Sequence, residues 1–248
     1  MSGHSKWSTI KRKKAKTDAQ RGKIFTKLIK EITVAARMGG SDESANSALR
    51  SAIAAAKVAN MPAANIERAI KRGTGELPGV FYENVIYEGY GPGGTALLID
   101  VLTDNKNRTV SEIRHILSKH NGNLGESGCV AWIFDKKGVV TVNSNNVSED
   151  ELLELMLESG ADDMRREEDV FEIVSQPHTF ENVKRVLSDH NIQFESAEIT
   201  MHPKNTVKVK EKEAEQLLKL MDALEEHEDI NHIYSNFDID SELLEKFQ

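Results

Sequence analysis

The 248-residue sequence predicts an α+β protein in which a three-helix unit precedes a longer region of mixed helices and strands. Two observations lead to this class. Between residues 23 and 73, apolar side chains recur every three or four positions, as on the buried face of a helix. After residue 80, short apolar runs bounded by Gly, Pro or Asn are separated by helical patterns. The chain therefore changes from helical to mixed structure near residue 80.

The first two helices follow from this spacing and from residues that begin or end a helix. The first is predicted to begin at Lys23 and to end at Gly39-Gly40. Ser41 or Ser44 is the expected cap of the second, because a serine hydroxyl accepts a hydrogen bond from the first backbone amides. Residues 1–22 hold too few apolar side chains for a buried face, so they are expected to form a basic arm.

The third helix is predicted to start near Pro62, with Asn60 as its cap and Gly73 as its left-handed C-terminal residue. Alanine-rich faces allow the three helices to approach closely. A compact bundle over residues 23–80 is therefore expected, and residues 74–79 are predicted to be a linker.

Two strands and a helix are predicted next. Residues 85–90 and 95–102 have strand patterns and are joined by a Gly-Pro-Gly-Gly turn. Thr109 and Glu112 have the spacing of a capping box, in which each side chain bonds a backbone amide near the start of a helix. That helix is predicted to end at Asn121-Gly122.

The next strand is predicted at residues 129–134, followed by a turn at 135–138 and a strand at 139–142. Ser148 and Glu151 form a second capping box that opens a helix. The remaining elements are predicted strands at 164–174, 193–202 and 205–210, and predicted helices at 179–190 and 211–227.

A short repeat links two of these helices. Leu-Ser-x-His-Asn occurs at residues 117–121 and again at 187–191, and Glu-Ser follows each copy at nearly the same distance. Two similar α+β units are therefore plausible. His120 and His190 are predicted to lie at helix ends, where the helix dipole favours a cation.

Charge is distributed unevenly along the chain. The net charge is −8, but residues 1–80 carry +10 and residues 81–248 carry −18. Such asymmetry indicates a basic region that contacts a polyanion and an acidic body with another role. A solvated charged tail is the alternative interpretation of the lysine run taken alone.

The basic region suits phosphate better than membrane or base edges. Lysine excess favours phosphate contacts, which release counterions, over the bidentate base contacts typical of arginine. Trp7 is a candidate for stacking on an unpaired base, and too few apolar residues accompany it for membrane insertion. The predicted nucleic-acid contacts are His4, Lys6, Trp7, Lys11, Arg12, Lys13, Lys14, Lys16, Arg21, Lys23, Lys27, Lys30, Arg50, Lys57, Arg68, Lys71 and Arg72.

Other functional classes find little support. The single Cys129 permits no intramolecular disulfide, and no run reaches the ~18–20 apolar residues of a membrane span. The lysine-rich start does not resemble a signal peptide, so a soluble cytoplasmic protein is expected.

No catalytic, cofactor or metal site is predicted. The glycines at 89–94 precede a strand rather than the helix that a dinucleotide site needs. His227 and His232 lie five residues apart, which on a helix points their rings about 140° apart, too far for one zinc ion. Cys129 lacks a basic neighbour and is expected to be a packed thiol. Residues 104–108 are equally consistent with a turn and with a contact site.

Four sequence blocks resemble the YebC/PmpR family. They are residues 3–40, 65–76 (NIERAIKRGTGE), 87–114 (YEGYGPGGTALLIDVLTDNKNRTVSEIR) and 122–134 (GNLGESGCVAWIF). The resemblance implies a three-helix domain followed by two ferredoxin-like α/β domains, one inserted in the other. With the basic arm at 1–22 and the bundle at 23–80, it places one α/β domain at 81–135 plus 204–248 and the inserted domain at 136–203.

The resemblance also implies function. Family members are described as DNA-binding transcriptional regulators, while a mitochondrial relative activates translation and bacterial relatives are linked to stalled ribosomes. A non-enzymatic DNA-binding regulator is therefore the leading hypothesis. A translation factor that binds ribosomal RNA is the alternative. In either case the acidic α/β body is expected to form a homo-oligomer or to contact the transcription or translation machinery.

Overall fold

The computed structural model describes residues 18–167, 169–240 and 243. An N-terminal unit of three helices is followed by two four-stranded antiparallel sheets, each with helices packed on it. The predicted α+β class is confirmed. The helices of the first unit are α1 (Asp18–Gly39), α2 (Ser47–Val58) and α3 (Ala63–Thr74).

The helical unit has a small, alanine-rich core. Ile32, Leu49 and Ile53 are fully buried at its centre, and alanines of all three helices surround them. Helix α1 includes residues 18–22, so the predicted start at Lys23 is wrong. This segment is polar but contains good helix formers, and apolar periodicity does not detect such a turn.

The cap of α2 is Asn46, not Ser41 or Ser44. The Asn46 Oδ1 atom accepts a hydrogen bond from the Leu49 amide, and its side-chain amide donates to the carbonyl oxygens of Ala35 and Gly40. Because one asparagine both caps α2 and ties it to the end of α1, it fixes the turn between the two helices.

Helix α3 ends two residues later than predicted. Gly75, with φ of +84°, is its left-handed C-terminal residue, and the residue before the helix is Pro62 rather than Asn60. Gly73 instead lies inside α3, where a Cβ atom would stand 2.4 Å from the Thr33 carbonyl oxygen. Glycine at 73 therefore permits the close crossing of α1 and α3.

The first sheet carries its helices on one face. Its strands are β1 (Glu83–Gly91), β2 (Thr95–Thr103), β3 (Asn123–Leu124) and β9 (Ile230–Ser235), in the order β3-β1-β2-β9. Helices α4 (Lys106–Lys119) and α7 (Glu211–Glu225) pack on Leu97, Ile99 and Val101 of β2. A short 3-10 turn, Pro92–Gly94, joins β1 to β2, as predicted from the glycine-rich sequence.

Helix α4 begins before the predicted capping box. Asn105 is its cap and accepts a hydrogen bond from the Arg108 amide. Thr109 is buried in the first turn, where its hydroxyl donates to Asp229 at 2.7 Å. Thr109 therefore does not cap the helix, and its side chain instead connects α4 to a distant part of the chain.

The second sheet has the ferredoxin-like topology. It contains β4 (Phe134–Asn143), β5 (Asp163–Glu167), β6 (Val170–Ser175) and β7 (Phe194–Pro203), in the order β5-β6-β4-β7. With α5 (Glu149–Ser159) and α6 (Phe180–Asp189), the chain order is β-α-β-β-α-β. Ser148 caps α5 through the Glu151 amide, as predicted.

Three predictions in this region are wrong. Residues 131–133 form a 3-10 turn rather than a strand, and β4 runs without a turn through residues 135–138, because every one of them pairs with β7. The predicted strand at 164–174 is a hairpin of β5 and β6. Polar residues on an exposed part of a strand were mistaken for turn residues.

The first sheet differs from the second in strand order and in connectivity. Here β1 and β2 are joined directly, and the ferredoxin-like unit is inserted between β3 and α7. Strand β9 was not predicted, because Asn231, an extra residue opposite the step between Asp100 and Val101 of β2, breaks its alternation. Strands β8 (Val207–Lys208) and β10 (Phe237–Asp238) form a separate parallel pair.

The sequence repeat corresponds to a structural one. His120 and His190 are the C-terminal caps of α4 and α6, as predicted, and each is followed by an asparagine with positive φ. The φ values of Asn121 and Asn191 are +59° and +57°. The two units therefore share one helix-to-strand turn.

Candidate nucleic-acid interface

The predicted contacts of the arm lie outside the described residues. These are His4, Lys6, Trp7, Lys11, Arg12, Lys13, Lys14 and Lys16, and the side chain of Arg21 lies outside them as well. Their roles stay predictions.

The described bundle presents cations on α2 and α3. Arg50 and Lys57 are exposed and lie seven residues apart, so they share one face of α2. On α3, Arg68 and Arg72 are exposed and four residues apart, with Lys71 beside them. Lys71 is paired with Glu67 at 2.7 Å, which leaves its side chain 44% exposed. These two faces suit phosphate contacts.

Lys30 does not belong to this interface. Its side chain is buried, and its Nζ atom lies 2.5 Å from Asp229 Oδ1 and 3.1 Å from the Glu228 carbonyl oxygen. The prediction that Lys30 contacts nucleic acid is wrong, because periodicity along α1 does not reveal that an acidic segment nearly 200 residues away covers this position.

The other two lysines on this side of α1 also face the acidic body. Lys27 donates to the Glu225 carbonyl oxygen at 2.7 Å, at the C-terminal end of α7. A cation is favoured there, because helix carbonyls and the dipole are negative at that end. Lys23 lies 3.7 Å from Glu226 and stays 41% exposed. Of these lysines, Lys23 is the most accessible to a ligand.

Asp229 is bonded both to the helical unit and to other residues of the α/β body. In addition to Lys30, its carboxylate accepts hydrogen bonds from Thr109, Thr103 and Arg108. Burial alone would raise the pKa of Asp229. The hydrogen bonds from Lys30 and Thr109, the Lys30 charge and the Arg108 bond outweigh it and hold this pKa well below its usual range.

The 104–108 segment therefore has a structural role. Arg108 bridges Asp104 at 2.7 Å and Asp229 at 3.2 Å, while Asn105 caps α4. The sequence left this segment open between a turn and a contact site. The sequence did not identify the partner of this segment, because Asp229 is remote in the chain and follows the exposed acids Glu226 and Glu228.

Glu112, His227 and Asp229 lie close enough to share one ion, but their hydrogen bonds do not suit a metal. His227 Nδ1 accepts from the Asp229 amide, so the ring proton is on Nε2, which donates to Glu112 at 2.9 Å. No ring lone pair is left for a metal, and Asp229 already binds two cations.

The helical geometry assumed for residues 227–232 was wrong, because α7 ends at Glu225. His232 lies on β9 and stacks on Tyr234, with 6.0 Å between ring centroids. Cys129 lies just before the 3-10 turn rather than in a strand. Burial, followed by the charge of Glu88, raises the pKa of its thiol, which agrees with a packed cysteine.

Negative charge gathers where the three structural units meet. Glu31 comes from α1, Asp100 and Tyr234 from the first sheet, and Glu198 from the second. Burial, with the charges of Asp100, Glu198 and Glu31, raises the pKa of Tyr234 to about 12. Burial also raises the pKa of Glu31 and of Asp100. This junction repels phosphate.

Among the described residues, no helix has the length and apolar character needed to span a membrane.

Comparison with known proteins agrees with this architecture. A model of the TACO1/YebC protein N-terminal domain matches residues 5–76, and a model of the TACO1/YebC second and third domain matches residues 82–237. A crystal structure of a conserved hypothetical protein from Aquifex aeolicus is 51% identical, with a TM-score of 0.79. The match covers 94% of this chain and 96% of that one.

Curated relatives match over nearly the whole length. One from Syntrophobacter fumaroxidans is 58% identical and one from Geobacter sulfurreducens 56% identical, each over 99% of both chains. Both are named probable transcriptional regulatory protein. Because two domain models and these full-length relatives agree, the chain belongs to the TACO1/YebC family.

Proposed function

We propose that this protein is a non-enzymatic regulator that binds nucleic acid through its basic N-terminal segment and the exposed cations of α2 and α3. The separation of charge carries the proposal. Residues 1–80 have a net charge of +10 and the remainder −18. Since a phosphate backbone is attracted by the first region and repelled by the second, nucleic acid binds at the helical end.

Duplex DNA is the leading ligand, because the relatives are named as transcriptional regulators. Lysines outnumber arginines in the first 30 residues, which favours phosphate contacts over reading of base edges. Affinity is therefore expected to depend strongly on salt and weakly on DNA sequence.

Ribosomal RNA is the second candidate. The observation that favours it is the 64% exposure of the residue Trp132 on the acidic body. An exposed indole suits unpaired bases, which are common in RNA loops and absent from intact duplex DNA. Under this reading the protein acts on translation.

A catalytic role has little support among the described residues. The cluster of Glu112, His227 and Asp229 is committed to internal hydrogen bonds. A hydrolase screen with and without divalent metal tests the non-enzymatic assignment, which reproducible turnover would overturn.

Crosslinking in cells, followed by sequencing of both bound DNA and bound RNA, tests the ligand. The matched control is the protein with Lys11, Arg12, Lys13 and Lys14 replaced by alanine, which is expected to recover far less of either. Enrichment of promoter DNA supports the leading proposal. Recovery of ribosomal RNA without promoter DNA supports the second candidate, and equal recovery by the control contradicts binding through the basic segment.

A further inference from the structure

Trp132 is held on a rigid turn although its ring faces solvent. It lies in the 3-10 turn Ala131–Ile133, flanked by the buried side chains of Val130 and Ile133. Trp132 as a whole is 64% exposed. Trp132 belongs to none of the buried core clusters of the described residues, so core formation does not explain a tryptophan here.

A buried carboxylate holds the backbone before this turn. Glu88, only 6% exposed, accepts hydrogen bonds from the amides of Gly128, Val130 and Ala131, at 2.6 to 2.7 Å. Burial opposes the charged form, but these three bonds outweigh it and lower the pKa of Glu88. A charged group in this position stabilises one conformation of the loop.

The indole has no hydrogen bond left to offer. Its Nε1–H donates to the Cys129 carbonyl oxygen at 3.0 Å, and the Tyr90 hydroxyl donates to the same oxygen at 3.1 Å. A ligand therefore meets the ring as a flat apolar surface. Such a surface selects for stacking rather than for a hydrogen-bonded group.

A cation lies beside the backbone of this turn. The Lys204 ammonium donates to the Trp132 carbonyl oxygen at 3.0 Å and pairs with Asp135 at 3.1 Å, while its side chain stays 52% exposed. Lys136 is also exposed on the adjoining strand. An exposed ring with lysines nearby fits a base whose flanking phosphates are negative, better than it fits an uncharged peptide.

We propose that Trp132 is a stacking platform for an unpaired base of single-stranded nucleic acid, with Lys204 contacting a neighbouring phosphate. The inference rests on the proposed nucleic-acid binding and adds a second contact point on the acidic body. Duplexes bind only the basic helical end, because their bases are already stacked on one another.

Fluorescence gives a direct test, because the chain has only two tryptophans. In the Trp7→Phe protein, Trp132 is the sole tryptophan, and it is excited at a wavelength that tyrosine does not absorb. It is titrated with a fluorescein-labelled 12-nucleotide oligoadenylate as RNA, the same oligomer as DNA, and the RNA paired with oligouridylate. Anisotropy of the label reports binding, while tryptophan emission, measured in parallel titrations with the unlabelled oligomers, reports stacking. Single strands are expected to quench emission in parallel with binding, and the bound duplex is expected not to.

Substitutions separate stacking from charge. Trp132→Ala is expected to lower single-strand affinity about five- to 150-fold, which corresponds to the usual ~1–3 kcal/mol of one stacked base. Trp132→Phe is expected to retain most of the affinity. Neither changes the salt slope, whereas Lys204→Gln flattens it by about 0.7. Leu157→Ala, which removes another exposed apolar side chain, is the matched control and is expected to bind normally.

The outcomes distinguish this inference from the proposed function. Stacking is overturned if bound single strands leave the emission unchanged, if duplex quenches equally, or if Trp132→Ala binds as tightly as the parent. In each of those cases nucleic-acid binding itself stands. If no oligomer binds the unmodified protein, both proposals fail. If RNA and DNA both quench the emission, the platform recognises the bases alone. If only RNA quenches it, the protein also recognises the 2′-hydroxyl.

Discussion

Lys30 and Asp229, 199 residues apart in the chain, form a buried ion pair with 2.5 Å between Nζ and Oδ1. The pair joins α1 to the turn before β9. Because Thr103, Thr109 and Arg108 also bind this carboxylate, Asp229 is the centre of a buried network that joins the helical unit to the α/β body.

Removing the charge of Asp229 is expected to destabilise the protein. Asp229→Asn leaves Lys30 buried without its counterion, a change that typically costs about 3–5 kcal/mol. Urea unfolding followed by circular dichroism measures the loss. Glu228→Gln is the control, since its side chain is exposed and only its carbonyl contacts Lys30. Equal stability of the two variants contradicts a central role for the pair.

Because the pKa of Asp229 is low, the stability lost in Asp229→Asn is also expected to depend on pH. A depressed folded pKa means that the stabilisation is complete above the unfolded pKa of about 3.9 and is lost as pH falls through the lower folded value. The difference between Asp229→Asn and the parent is therefore expected to be full at pH 7 and to shrink below about pH 4.

Asp100 is expected to make stability depend on pH in the opposite direction. Burial raises its pKa, against the lowering effects of His232 and Asn84, so the folded state binds its proton more tightly than the unfolded state. Stability contributed by this group falls as pH rises from about 3.9 through the folded pKa. Asp100→Asn is therefore expected to exceed the parent in stability at pH 8 and to match it near pH 3.

Thermal unfolding at several pH values measures this difference, with the exposed Glu158→Gln as control. A parent protein that is more stable than Asp100→Asn at pH 8 would show that ionised Asp100 is favourable in the fold.

Gly73→Ala is expected to separate α1 from α3. The new methyl group would stand 2.4 Å from the Thr33 carbonyl oxygen and 2.7 Å from the Ala36 Cβ atom, so the helices must shift. Overpacking of this kind costs about 1–3 kcal/mol. Gly22→Ala is the matched control, because nothing lies within 4 Å of that position in α1. Hydrogen exchange of α1 and α3 amides is expected to rise only in Gly73→Ala.

The lysines of the bundle are expected to differ in their effect on nucleic-acid binding. Lys57→Gln removes an exposed cation and is expected to flatten the log–log salt slope by about 0.9 on duplex DNA. Lys30→Gln is expected to lower stability and leave that slope unchanged. Lys212→Gln, the same charge change at an exposed site on the acidic body, is the control. A flatter slope for Lys30→Gln contradicts its assignment to the domain junction.

Local pattern was sufficient for most of the fold. Apolar spacing identified the helices, and the capping box at Ser148 located the start of α5. Local pattern gave wrong predictions where a contact with a distant part of the chain determines the conformation. Thr109 has a capping pattern but binds Asp229, and Gly73 has a terminal pattern but allows a helix crossing.

The residues of the candidate site were also predicted correctly in part. Charge along the sequence identified the basic helical end, and Arg50, Lys57, Arg68 and Arg72 are exposed in the fold. It did not identify Lys30 as buried, because its counterion comes from the far end of the chain. The exposure of Trp132 was not predicted, because an apolar residue beside Val130 and Ile133 has the pattern of a core strand.

The salt dependence of duplex binding tests the central claim most directly. Affinity of the parent protein and of the variant with Lys11, Arg12, Lys13 and Lys14 changed to alanine is measured between 50 and 300 mM salt on one labelled DNA. With about 0.9 counterions released for each lost contact, the variant's log–log slope is expected to be flatter by roughly 3.6. An unchanged slope and affinity would show that the polyanion is not bound by the basic segment.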